Sequence, residues 1–113
     1  MPKYNKLVRD KIPEIIEAKG KEVSTTILSN EEYIKELKAK CMEEVDEYMR
    51  ATTNEEAKEE LADVLEVLHA ITKTHGSSME EIESIRLQKK QARGGFQERI
   101  FLMDVKENTK RIE

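Results

Sequence analysis

The sequence predicts an all-α fold, a bundle of about four helices forming one domain over residues 1–113. Three observations lead there. Apolar residues recur at spacings of three and four rather than two, which is a helical repeat. Ser or Thr stands three residues ahead of Glu at 29/32, 53/56 and 77/80, the pattern of a capping box at a helix start. With only 4 Gly, 2 Pro and 4% aromatic residues, the chain has too few turn and strand formers for a sandwich or barrel.

Each element follows in order. A first helix is expected over residues 7–19, ended by Gly20. Pro13 inside it removes an amide donor and clashes with the preceding turn, so the helical start moves toward Ile12, with residues 6–11 as an ordered arm. Residues 21–29 (KEVSTTILS) are β-branched and unpatterned, and read as an extended connection. The second helix runs from Ser29 to about Arg50, with Ile34, Leu37, Cys41, Val45 and Tyr48 as its apolar stripe. The third opens at Thr53 and reaches about His75, before Gly76, with a stripe of Ala57, Leu61, Val64, Leu65, Leu68 and Ile71. The fourth opens at the Ser77/Glu80 box and ends near Arg93, before Gly94 and Gly95. The following FQERIFLMDV, residues 96–105, is apolar enough to pack on its own subunit or on another.

Composition limits the function. At 113 residues the core is modest, and association of copies would add to it. A net charge of −4 argues against a nucleic-acid polymer as the partner. Cys41 is the only cysteine, so no intrachain disulfide forms, as suits a reducing cytoplasm. The basic start lacks a signal-peptide apolar run, and no stretch approaches the roughly 20 apolar residues that span a membrane. A soluble cytoplasmic protein is expected.

The most informative feature is a pair of acidic clusters either side of one predicted turn, EEVDE at 43–47 and EELAD at 59–63. Glu44 and Glu47 are three apart, as are Glu60 and Asp63, so each pair shares one side of its helix. A hairpin turning near Thr53 sets Glu44 level with Asp63 and Glu47 level with Glu60. At about 100° per residue, Glu44 and Glu47 lie about 70° and about 130° from their apolar stripe. Glu60 and Asp63 lie about 80° and about 140° from theirs, in the same rotational sense. Both pairs therefore flank one side of the hairpin, while Glu43 and Glu59 fall almost opposite the stripes and are expected in solvent. Four carboxylates brought together are costly unless a cation neutralises them.

Oxygen ligands without a thiolate or imidazole favour Mg²⁺, with Mn²⁺ as the variant, over zinc. Glu66 and His69 form an ExxH motif, but a di-iron bundle needs two such motifs and two further glutamates, and His69 lies on the wrong side of its helix. Magnesium is commonly completed by substrate phosphates. Cations for a phosphorylated substrate stand at Lys89, Lys90 and Arg93, within one turn of each other, and at Lys6, Arg9 and Lys11. The lysines and Arg93 also complement the dipole of a helix C-terminus, which is the plainer reading of them alone. Gly94-Gly95 lacks the spacing of a phosphate loop and reads as a helix end.

Taken together, Glu43-Glu44-Val45-Asp46-Glu47 and Glu60-Leu61-Ala62-Asp63 resemble the EExxE and ExxD signature of the MazG-like all-α nucleoside triphosphate pyrophosphohydrolases. The opening YNKLVRDKIPEII, from Tyr4, and RGGFQERIFL, from Arg93, are similar to a small single-domain branch labelled phosphoribosyl-ATP pyrophosphohydrolase-like. The resemblance implies that Glu44, Glu47, Glu60 and Asp63 ligate Mg²⁺, with Glu43 assisting from behind them. It lends Lys89, Lys90 and Arg93 a role on the triphosphate, while Arg9 of the second basic cluster is a phosphate-binding candidate by its charge. It also implies a homodimer or homotetramer.

The expected reaction is metal-dependent hydrolysis of a nucleoside triphosphate to monophosphate and pyrophosphate, with a house-cleaning role within reach, and with Glu47 or Glu43 orienting the water. Three alternatives stay open: a phosphoribosyl-ATP pyrophosphohydrolase of histidine biosynthesis, a non-catalytic helical interaction module with a structural metal, and a metal-free bundle whose acidic clusters are only solvated.

Overall fold

The computed structural model describes residues 5–107, and Tyr4 of the motif above lies outside them. Four helices are present, α1 (Ile12–Ala18), α2 (Asn30–Arg50), α3 (Asn54–Thr74) and α4 (Met79–Arg93), with no strand among the described residues. No helix among them is long and apolar enough to cross a membrane. The chain divides within α4 into two units, one ending at Ile82 and one starting at Glu83.

In the first unit, α1 is shorter than the sequence pattern from Leu7 suggested. Pro13 sits in the opening turn, where its missing amide costs nothing, so the helix begins at Ile12 and residues 5–11 form an arm. Residues 21–29 carry no regular hydrogen bonding, as expected of that connection. Ser29 completes a reciprocal capping box with Glu32 at the start of α2. Thr53 accepts from the Glu56 amide to start α3, but the Glu56 carboxylate takes the hydroxyls of Thr52 and Thr53 rather than a backbone amide. The fourth cap is shifted by one residue. Ser78, not Ser77, accepts from the amide three residues on, that of Glu81. Ser77 is occupied in closing α3, where its amide donates to Thr72 O and that of Gly76 to Lys73 O. This is a Schellman motif, and Gly76 at φ 67 supplies its left-handed residue.

Helices α2 and α3, joined by residues 51–53, form the hairpin that carries the acidic clusters. Its core is thin. Leu37 and Val67 are the buried apolar side chains, flanked by half-buried Ile34, Cys41, Val64 and Ile71. Val45, Tyr48, Leu61, Leu65 and Leu68 of the predicted stripes remain 39–50% exposed. Each stripe is broader than one helix–helix contact can cover, and the contact runs along its acidic side. Glu44 is buried at 8% exposure as a result.

In the second unit, α4 ends where the Gly94 amide donates to Lys90 O at 2.7 Å with Gly94 at φ 86, so the glycine pair terminates the helix as expected. Arg86 donates to Glu83 along this helix. Phe96, Ile100, Phe101, Leu102, Met103 and Val105 are all at least 75% exposed.

Candidate metal centre

The site is built by the rotation of α2 and α3 just described. Glu44 enters the helix contact from α2 and Glu60, half-buried, from α3, while Glu47 stands one turn beyond Glu44. One carboxylate oxygen from each of Glu44, Glu47 and Glu60 lies within 4.8 Å of the others. Glu44 Oε2 and Glu60 Oε2 are shut away from water and have no hydrogen-bond partner. A buried unpaired carboxylate oxygen carries an unrelieved desolvation cost, and here two of them sit in one cluster.

The electrostatics reflect this crowding. Burial, then the neighbouring Glu47 carboxylate, push Glu44 above the ordinary carboxylate range, with Asp63 adding to the effect and Lys40 opposing it. Withdrawal from water, followed by the charges of Glu47 and Asp63, pushes Glu60 up as well. Glu44 thus feels Asp63, and Glu60 feels Glu47, the two level pairs of the predicted hairpin register. A divalent cation would satisfy both orphaned oxygens and reverse both shifts.

Asp63, the fourth predicted ligand, is half-buried and outside the converging trio. Its Oδ1 accepts from Arg9 Nη2 at 2.7 Å. Glu43 also departs from expectation, since it is half-buried rather than in solvent. Lys40 Nζ donates to Glu43 Oε1 at 2.9 Å, and Lys6 Nζ lies 3.9 Å from Glu43 Oε2. The hydrogen bond from Lys40 is the main reason the Glu43 carboxyl is held below its usual range. The cause of its placement is simple: a Lys three residues earlier on the same helix face draws Glu43 inward.

Lys40 itself is the residue that sequence reading missed. Its ammonium also lies 3.7 Å from Glu44 Oε1, and burial, which lowers its pKa, is outweighed by Glu43 and then Glu44, so the pKa rises. The available signal was its spacing, i,i+3 and i,i+4 ahead of the two glutamates. Glu59 is exposed as predicted, and Glu66 and His69 of the ExxH motif are exposed too. Lys89, Lys90 and Arg93 lie exposed on the last turns of α4, in the second unit.

Comparison with protein-family models, with curated proteins and with solved structures yields no match. The functional reading therefore stands on the residues and their geometry, together with the motif resemblance described above.

Proposed function

We propose that this protein is a Mg²⁺-dependent nucleoside triphosphate pyrophosphohydrolase of the MazG-like type, acting in the cytoplasm. The observation that carries the reading is the convergence of Glu44, Glu47 and Glu60, with two buried oxygens left without partners. A carboxylate set of this kind suits Mg²⁺ or Mn²⁺, which keeps open positions for phosphate oxygens. The bound ion would supply Lewis-acid activation of water and phosphoryl oxygens.

The chain's own residues take distinct parts. Glu44 of α2 and Glu60 of α3 would hold the cation, and Glu47 would complete the trio. Glu47 is exposed, so of the two carboxylates considered for orienting the water it is the better placed. Glu43 is engaged by Lys40 and Lys6, and instead fixes the ammonium beside Glu44. Arg9 from the arm is the cation assigned to substrate phosphates, while Lys89, Lys90 and Arg93 of α4 hold a phosphate role only through the motif resemblance.

Self-association belongs to the same proposal. On the side of the hairpin away from the carboxylates, Met42, Val45 and Met49 of α2 and Leu61, Leu65 and Leu68 of α3 are 40–73% exposed. Together they form an apolar group that a second copy of the chain would cover.

A panel of standard and modified nucleotides and phosphoribosyl-ATP, assayed with Mg²⁺ for pyrophosphate release, tests the function. The reading expects release from at least one substrate, lost in Glu44→Gln. Turnover of phosphoribosyl-ATP alone would select the histidine-pathway alternative. Stabilisation by Mg²⁺ with no turnover of any nucleotide would select the non-catalytic module.

A further inference from the structure

Arg9 and Asp63 are 54 positions apart, yet their side chains make the one side-chain hydrogen bond, among the described residues, that joins the arm to the hairpin. Three residues earlier in the arm, Lys6 reaches Glu43. Glu43 stands on α2 and Asp63 on α3, so Lys6 and Arg9, two of the arm's three cations, reach both helices on the carboxylate side of the hairpin. Asp63 is also the one member of the mirrored pairs whose oxygens do not join the converging cluster. The guanidinium meets Asp63 as a planar cation whose fork of N–H donors fits a carboxylate or a phosphate alike. The pair is open to water, with side chains 57% and 40% exposed, and an exposed ion pair is weak enough to exchange.

We infer that Arg9 and a divalent cation are alternative partners of Asp63, the Arg9–Asp63 pair being a latch that holds the arm over the metal-free carboxylates. The inference rests on the metal-site reading above. In the closed state the guanidinium supplies one of the charges that the cluster lacks. Once Asp63 turns toward the trio, the planar guanidinium is released beside the site, free to take a phosphate oxygen in the bidentate manner that suits it. One residue then neutralises the protein when the site is empty and the substrate when it is filled.

Two other roles for Arg9 make different predictions. A strut that aims Asp63 at the metal would weaken metal binding when removed. Simple repulsion between Arg9 and the cation would act whether or not Asp63 carries a charge. Titrations with Mn²⁺ alone, followed by the electron paramagnetic resonance signal of the free ion, separate them on the full chain. The four proteins are wild type, Arg9→Gln, Asp63→Asn and the double variant, each first shown to melt cooperatively. The latch predicts about twofold to fivefold tighter Mn²⁺ binding in Arg9→Gln than in wild type, the scale of an exposed ion pair. In the Asp63→Asn background the same substitution should change nothing. Unchanged or weaker binding in Arg9→Gln, or an equal gain in the Asp63→Asn background, would overturn the latch while leaving the metal site standing. Absence of Mn²⁺ binding from all four proteins would overturn both.

Discussion

Glu44 on α2 and Glu60 on α3 bring carboxylate oxygens within 4.8 Å of each other, and each keeps its Oε2 buried without a partner. Such a contact opposes folding when both groups are ionised, and the apolar core beside it is thin. Lys40 offsets part of the charge at Glu44, and Arg9 part of that at Asp63, but Glu60 has no ion pair among the described residues.

The first expected outcome concerns pH. Glu44 and Glu60 have folded-state pKa values raised above those of the unfolded chain. The folded protein therefore binds more protons, and stability falls as pH rises through the interval between the ordinary carboxylate value and the raised one. Metal-free protein in a chelator should melt at higher temperature as pH is lowered through that interval. Glu43, held low by Lys40, acts in the opposite sense and loses its contribution at still lower pH. Thermal melts of wild type and Glu44→Gln across pH 4–8 isolate the effect, since the variant should show a flatter profile.

Removing the charge should also reverse the response to metal. Glu60→Gln is expected to raise the melting temperature of the metal-free protein by a few degrees, because it relieves the like-charge contact with Glu47 and Asp63. In the same variant, added Mg²⁺ should no longer stabilise. Wild type should show the converse, a lower metal-free melting temperature that rises with Mg²⁺ concentration. Differential scanning calorimetry with and without Mg²⁺ reads both.

The end of α3 gives a test of the fold independent of function. A Cβ at Gly76 would meet nothing within 4 Å, so Gly76→Ala tests the φ of 67 alone. It should cost about 1 kcal/mol. Ser78→Ala should cost a similar amount, about 1 kcal/mol, through the lost cap, and Ser77→Ala distinctly less. Urea unfolding midpoints would rank the three.

Much of this was legible in the residues, because caps, turns and helix register are local. Ser29/Glu32 and Thr53/Glu56 mark the helix starts, and the 51–53 turn sets Glu44 level with Asp63. What was not legible depends on contacts between elements. The stripe of α3 gives six apolar positions, and only the docked hairpin tells that Val67 is buried while Leu61 and Leu65 are not. That same docking turns Glu44 inward. The Arg9–Asp63 pair spans 54 positions and leaves no periodic trace. The inward draw of Glu43 is local, through Lys40, but helical angle alone points Glu43 to solvent and takes no account of its i−3 neighbour.

The uncovered side of the hairpin yields a further outcome. Leu65→Asp places a charge in the centre of the exposed apolar group and should shift a self-associated species toward monomer. Sedimentation velocity across a range of concentrations measures it, with wild type expected to be dimeric or larger. A monomeric wild type would remove the assembly from the proposal.

The carboxylates of α2 and α3 are proposed to hold a divalent cation for a phosphorylated substrate, and calorimetric titration of Mg²⁺ into the protein with a non-hydrolysable nucleoside triphosphate analogue present checks this. Saturable binding is expected in wild type, weakened about 100-fold in Glu44→Gln and in Glu60→Gln, at least the loss seen when a partner behind a metal ligand is removed. No Mg²⁺ binding to wild type in the presence of the analogue, or equal binding to all three proteins, would contradict it.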